Sequence, residues 1–371
     1  MPPAPTAAAA TAAATAAATA AAGLPPRRFR ARRTSSPTTS PSTEVAVPRR
    51  PAVGRALAAL ALGGLAWALT EARLYTLRRY SVPVLPAGAA PIRVLHVSDL
   101  HLTPHQRDKI AWVRALDRFD PDFVVTTGDN MAHRAALPAV LEAYGPLLDR
   151  PGAFVLGSND YFAPRPKNPA RYLLPDARTA IPAEPARLPS AEMADAFRRA
   201  GWTDLTNRRD TARVGGTEIS LVGVDDPHLD RDRFPGPRAA ADGVTAGDGV
   251  MATHAGSGGS PASRLHLGVT HAPYVRVLEA MRDDGCDLVL AGHTHGGQLC
   301  LPFAGALVTN CDLDRARASG LHGWPGPRPD GPGGAGSLWL HVSAGLGTSP
   351  YTPVRFACRP EASLLTLTAR T

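Results

Sequence analysis

Two imidazoles two residues apart, His293 and His295, sit in the string Gly292-His293-Thr294-His295-Gly296-Gly297-Gln298. An apolar run, Leu288-Val289-Leu290-Ala291, precedes them, and a glycine pair follows. Side chains at i and i+2 of an extended backbone point to one side, and glycine lets the chain turn tightly beside a ligand. Four further clusters stand upstream: Ser98-Asp99-Leu100-His101, Gly128-Asp129-Asn130, Gly157-Ser158-Asn159-Asp160 and Thr270-His271-Ala272-Pro273. Most of them close an apolar, strand-like run. Together they supply carboxylate and amide oxygens beside imidazole nitrogens, a mixed donor set suited to divalent ions.

The chemistry such a set serves is hydrolysis of a phosphate ester. Ester and hydroxide are both negative and repel. Two divalent ions about 3.5–4 Å apart neutralise the repulsion, lower the pKa of a bridging water and orient its in-line attack. Asp99 and His101 are candidates for one ion, with His295 returning to it. Asp129 is the candidate bridge, and Asn159, His271 and His293 are candidates for the other ion. Asp129, Asn159 and His271 are also the candidate catalytic residues. Asp160, Asp225 and Asp226 are candidates to orient the ligands from behind, although a turn before Pro227 accounts equally well for the last two. The remaining histidines, His228 among them, read as ordinary buried or exposed side chains.

At these residues the chain resembles the calcineurin-like metallophosphoesterases, whose pattern is D-x-H, G-D, G-N-H-D/E, a lone His and G-H-x-H. The resemblance covers roughly residues 92 to 368. Gly223-Val224-Asp225-Asp226-Pro227, Gly345-Leu346-Gly347-Thr348-Ser349 and Pro353-Val354-Arg355-Phe356 resemble its YkuE-like, membrane-associated branch. That resemblance implies an α/β fold, a four-layer αββα sandwich with the metals at the top of two sheets. It implies two divalent ions (Mn, Fe or Zn) and a phosphomonoester, phosphodiester or pyrophosphate substrate. Relatives in this branch include enzymes that cut the pyrophosphate of a UDP-diacylglucosamine lipid precursor, so a lipid-linked substrate is within its range.

The chain departs from the pattern once. Gly157-Ser158-Asn159-Asp160 stands where the family has G-N-H-D. In strict register Ser158 replaces the metal-binding Asn, and Asn159 replaces the His that assists the leaving group. A one-residue adjustment instead brings the Asn159 amide to the metal, the reading favoured here. Either way the general-acid His is absent, and such help is worth roughly 10²–10⁴ in rate. Expected substrates are those with good leaving groups, a phosphate included. The alternative is a metal-binding scaffold whose catalysis is weak or lost.

The formal charge of +8 does not belong to the region holding these motifs. Residues 1–90 contain eleven Arg against Glu44 and Glu71, a net of +9, which leaves −1 for the rest. A basic nucleic-acid footprint on the domain is therefore unsupported, and no nucleic-acid partner is expected. The cysteines, Cys286, Cys300, Cys311 and Cys358, form no CxxC and read as small hydrophobes with at most one bridge.

An Ala/Thr/Pro/Arg-rich leader, 1–51, reads as disordered. It is followed by a hydrophobic helix, 52–72, uncharged from Ala56 to Thr70 and near the short limit for a membrane span. The expectation is a single N-terminal pass or membrane anchor, with the catalytic domain outside the cytoplasm. The phosphoesterase domain is expected to occupy 91–371, so a chain beginning near Pro91 should be soluble and active. Low-complexity surface insertions are expected at 235–263 and 320–337. Strands are expected at Ile92–Ser98, Asp122–Thr127, Ala153–Leu156, Glu218–Val224, Leu265–Thr270, Leu288–Ala291, Leu338–Ser343, Val354–Cys358 and Leu364–Thr368. Helices are expected at Lys109–Phe119, Leu137–Leu148 and Ser190–Ala200. Active residues just past strand ends are what open α/β sheets tend to have.

Overall fold

A computed structural model describes residues 51–166, 186–236 and 264–370. The leader and most of the 235–263 insertion lie outside the described residues. The chain divides into two units, Met1–Leu62 and Gly63–Thr371. In the first unit the description begins at Pro51 and is helical to Leu62. The second unit holds two six-stranded sheets.

The first sheet runs, edge to edge, Thr76–Leu85 (β1), Glu361–Ala369 (β14), Ile92–Val97 (β2), Phe123–Thr126 (β3), Gly152–Phe154 (β4) and Thr203–Asp204 (β5). The second runs Gly320–Trp324 (β12), Leu338–Val342 (β13), Leu288–Ala291 (β9), Arg264–Val269 (β8), Thr217–Gly223 (β7) and Arg208–Val214 (β6). Cys300–Leu301 (β10) and Gly305–Ala306 (β11) make a small antiparallel hairpin. β2, β3 and β4 are parallel neighbours, as are β7, β8 and β9. Both groups therefore deliver their carboxyl ends to one edge of their sheet.

Three apolar layers hold this arrangement. Val94, Phe123, Val125 and Leu365 of the first sheet pack on Ile219, Leu265, Leu267, Leu288 and Trp339 of the second. Outside the first sheet, Val113, Val140, Tyr144 and Phe197 from the helices Arg107–Arg114, Leu137–Tyr144 and Ser190–Arg199 cover Leu95, Val124 and Phe154. Outside the second sheet, Leu278 and Met281 of the helix Val275–Asp283 cover Val222, Val289 and Leu340. The layers are helix, sheet, sheet, helix, as the resemblance implies. Short, wholly buried strands such as β3 and β9 read as continuous apolar runs because both of their faces are covered.

Several boundaries differ from the expectation. The sheet begins at Thr76 and not beyond Pro91: β1 pairs in parallel with β14 over Thr76–Leu85 and buries Val82, Val84 and Leu85. Val354–Cys358 is not a strand; only Phe356 makes a bridge, to Leu299. Within the glycine-rich stretch 320–337, Gly320–Trp324 forms the edge strand β12, with Trp324 buried.

The hydrophobic stretch is helical over Pro51–Glu71. Among the described residues, however, no helix is long and apolar enough to cross a membrane. Arg55 and Glu71 bring charge within the helix, and Gly63 and Gly64 dilute the apolar run. The expected transmembrane pass is corrected on that ground. In the second unit, the Glu71 carboxylate accepts from the amides of Ala357 (3.0 Å) and Cys358 (2.8 Å).

β1 sets a first prediction. Burying three aliphatic side chains is worth on the order of 5 kcal/mol, comparable to the whole stability of many domains. A chain beginning at Pro91 should unfold or aggregate, whereas one beginning at Gly63 should fold. Thermal melts of the two check this.

Candidate metal centre

The sequence clusters fall immediately past strand ends. β2 leads to Asp99 and His101, β3 to Asp129, β4 to Asn159, β8 to His271, and β9 to His293 and His295. The first four residues come from three adjacent parallel strands of one sheet, and the three histidines from two of the other. All seven converge.

Two overlapping donor groups form: Asp99 with His101 and His295, and Asp99 with Asp129 and His271. His101 Nε2 stands 3.2 Å from His295 Nε2, and His293 Nδ1 stands 3.3 Å from His271 Nε2. Asp99 is thus common to both groups, where Asp129 was the expected bridge. Asp129 nevertheless lies between them: Oδ2 is 3.4 Å from His101 Nε2 and Oδ1 is 3.5 Å from His271 Nε2. The backbone and side-chain nitrogens of Asn159 donate to the same carboxylate at 2.7 and 2.8 Å.

Five of the seven residues hold left-handed backbone: Asp99 (φ 51°), His101 (42°), Asp129 (56°), His293 (70°) and His295 (50°). Each such residue costs roughly 1–2 kcal/mol, and strain of this kind collects at functional sites. His293 and His295 therefore do not lie on one extended face. Thr294 between them is helical (φ −68°, ψ −18°), and the turn sends His293 toward His271 and His295 toward His101. The close quarters need glycine. A Cβ on Gly292 would stand 2.0 Å from Ser98 Oγ, and one on Gly157 would stand 2.4 Å from Asp129 Oδ1.

Hydrogen bonds behind the cluster fix which ring nitrogen faces inward. His271 Nδ1 bonds the Thr127 carbonyl at 2.7 Å, His295 Nδ1 the Gly347 carbonyl at 3.1 Å, and His293 Nε2 the Asn310 carbonyl at 3.2 Å. Each ring is left with its other nitrogen aimed at the cluster. Asp160, fully buried, accepts from the amides of Asp129 (2.8 Å), Asn130 (2.8 Å) and Gly157 (3.0 Å). It clamps the two loops that carry Asp129 and Asn159. Asp225 faces away, bonded to Tyr161 and Arg231. Asp226 caps the turn to His228 through Oδ1, while its buried Oδ2 has no partner.

A buried relay also reaches Asp99. His341 Nδ1 meets His96 Nδ1 at 2.9 Å across the two sheets, His96 Nε2 meets Thr127 Oγ1 at 3.0 Å, Thr127 donates to Ser98 at 2.6 Å, and Ser98 donates to Asp99 Oδ2 at 2.5 Å.

The electrostatics suit a cation. Burial pushes His101 down to about 4 and holds His293 and His295 well below the ordinary imidazole value. These rings are neutral, the form that ligates metal. Burial alone would lower His271 too, but the carboxylates of Asp129, Asp226 and Asp99 overcome it and raise the ring to about 9. Burial opposes ionisation of Asp129, yet His271 and His101 hold it below the usual carboxylate range. Negative charge is thus gathered where imidazole lone pairs converge, and one of those rings is pushed to take a proton. Divalent ions fit this donor set. A third group, His266, Asp284 and Cys286, does not offer the same. Arg209 already clamps the Asp284 carboxylate with two bonds of 2.6 Å, and a guanidinium there repels a metal ion.

A cavity of about 110 Å³ opens over the cluster, lined by His101, Asp129, Asn159, His293 and His295 together with Arg165, His228, Gln298 and Asn310. His228 was read as an ordinary side chain. Its ring lies over that of His293, centroids 4.5 Å apart. The signal available in the sequence was its place directly after Asp225-Asp226-Pro227. Arg165 carries no motif at all.

This arrangement gathers carboxylates and imidazoles that could hold metal ions in one buried cluster at the carboxyl ends of two facing sheets. The chain belongs to the calcineurin-like phosphoesterase family, whose profile matches residues 92–297. It is 24% identical over 302 residues to phosphodiesterase YaeI of Escherichia coli (strain K12), covering 79% of this chain and 88% of that one. A metallophosphoesterase of Aquifex aeolicus (strain VF5) is 26% identical over 311 residues, covering 81% and 95%. Metallophosphoesterase YkuE of Bacillus subtilis (strain 168) is 35% identical over a shorter stretch of 81 residues, 22% and 24% of the two chains. The protein is a metallophosphoesterase.

Proposed function

We propose that the protein hydrolyses a phosphodiester or pyrophosphate with two divalent ions held by Asp99, His101, Asp129, Asn159, His271, His293 and His295. The convergence of all seven on one buried point, five of them in left-handed backbone, carries this reading. When bound, the ions supply Lewis acidity and an activated water. The chain's own residues do the rest. Asp129 turns one oxygen to each histidine group, Asp160 fixes its loop, and the pinned imidazoles keep their inward nitrogens bare. Arg165 and His228 on the cavity wall offer N–H donors to phosphoryl oxygens.

Ser158 and Asn159 both line the cavity, but only the Asn159 side chain rests on Asp129, which favours it as the ligand. Asn159→Ala should then weaken one metal site and lower turnover at least 100-fold, while Ser158→Ala should do little. Metal content decides. If Asn159→Ala keeps both ions and Asn159→His raises the rate, Asn159 stands instead in the place of the general acid. No imidazole occupies the family's general-acid position, so a leaving group that needs no proton is favoured. A phosphate, as in a lipid-linked pyrophosphate, is one. With Mn²⁺, an activated aryl diester and a lipid pyrophosphate should turn over far faster than an alkyl diester. Bound metal with no turnover of any of them supports the scaffold reading.

Membrane association belongs to the same proposal. Leu57, Leu60, Leu62, Leu65, Trp67 and Leu69 are all exposed, and arginines flank the helix. Co-sedimentation with anionic vesicles is the corresponding test.

A further inference from the structure

Two thiols lie outside the metal cluster and against its frame. Cys300 begins β10, and Cys358 lies two residues beyond Phe356. The bridge between Leu299 and Phe356, with the Cys300 amide donating to the Phe356 carbonyl at 2.9 Å, brings the two segments side by side. The Gly296 carbonyl accepts from both thiols, Cys300 at 3.1 Å and Cys358 at 3.5 Å, and the His295 carbonyl also accepts from Cys358 at 3.3 Å. A Cβ on Gly296 would stand 2.7 Å from Cys358 Sγ, so the glycine keeps open the space beside that sulfur. Both residues are half-buried and line a solvent-open cavity of about 1030 Å³. Cys286 and Cys311 are buried elsewhere and do not line it.

We propose that Cys300 and Cys358 are a reversible disulfide-forming pair, a redox-modification site beside the loop that carries His295. Two thiols bonded only to carbonyls would serve as inert polar filler. Two features point beyond that: one carbonyl holds both sulfurs within hydrogen-bond reach, and both residues line the cavity. The oxidant is a small-molecule disulfide such as oxidised glutathione. Cys358 thiolate attacks one of its sulfurs, forming a mixed disulfide and releasing one thiolate. Cys300 thiolate then attacks the Cys358 sulfur and releases the second. Two protein thiols are oxidised, one external disulfide is reduced to two thiols, and the two protons leave with them. The new bond ties the Gly296–Cys300 segment to the strap that carries Arg355, which donates to the His295 carbonyl at 3.3 Å.

The test uses the full chain, oxidised glutathione, alkylation, and intact-mass and peptide mapping, with no dependence on metal or turnover. Expected is a loss of two hydrogens, two of the four cysteines left open to alkylation after denaturation, a cross-linked peptide joining Cys300 to Cys358, and full reversal by dithiothreitol. Cys300→Ser should abolish the cross-link and leave Cys358 as a stable glutathione adduct. Four alkylatable cysteines in the treated wild type, glutathione adducts without a cross-link, or a cross-link to Cys286 or Cys311 would each overturn the proposal.

Discussion

Asp129→Ala is expected to lose both metal ions and to lower turnover by at least 10⁴-fold, with the fold retained. The carboxylate places one oxygen by His101 and the other by His271, so a single truncation opens both halves of the site. It also takes away the acceptor of both Asn159 nitrogens. Ser98→Ala makes the contrast. That change removes the hydrogen bond to Asp99 and the one Ser98 accepts from Thr127, each a loss of about 0.5–1.5 kcal/mol, and should weaken metal binding by tenfold or so. Elemental analysis of both variants, alongside circular dichroism, checks the ordering. Asp129→Ala with its metal content unchanged would remove Asp129 from the site.

The largest effect on stability is expected from Arg355→Ala. Arg355 is fully buried and pairs with no carboxylate among the described residues. Its Nη2 instead donates to the carbonyls of Ala344 (2.7 Å), Gly345 (3.1 Å) and Gly347 (2.8 Å), and its Nη1 to that of His295. Truncation removes these hydrogen bonds and opens a cavity the size of the side chain. Losses of this kind run to about 3–5 kcal/mol. Because Gly347 also accepts from His295 Nδ1, the variant should bind metal more weakly even where it remains folded. Denaturant titration measures the first effect and calorimetric titration with Mn²⁺ the second. A stability within 1 kcal/mol of the wild type, on the order of one surface substitution, would contradict this role for Arg355.

What could be read from the chain follows the physics of each element. β9 emerged at Leu288–Ala291 as expected, because a strand covered on both faces must be apolar throughout. The Asp, Asn and His clusters stood out because glycines and polar residues interrupt such runs at their carboxyl ends. β1 and β6 were missed for the opposite reason. Each is an edge strand carrying exposed arginines (Arg78 and Arg79, Arg208 and Arg213), and β1 also contains Pro83, which edge strands tolerate. The apolar helix misled in another way: its uncharged middle read as a membrane span, while Arg55 and Glu71 near its two ends leave too short an apolar run. Arg165 reaches the site through a loop with no local pattern to mark it, whereas His228 and Arg355 stood beside or within motifs that did not reveal which groups they would meet. The left-handed backbone at five site residues is half legible, since Asp and His enter that region more readily than most residues. Which of them would do so depends on the assembled site.

Diffraction from crystals soaked with Mn²⁺, recorded near its absorption edge, tests the central claim most directly. The account predicts two anomalous peaks on either side of the Asp129 carboxylate, one bounded by Asp99, His101 and His295 and the other by Asn159, His271 and His293. A single peak, or none at this cluster with density at His266, Asp284 and Cys286 instead, would contradict it.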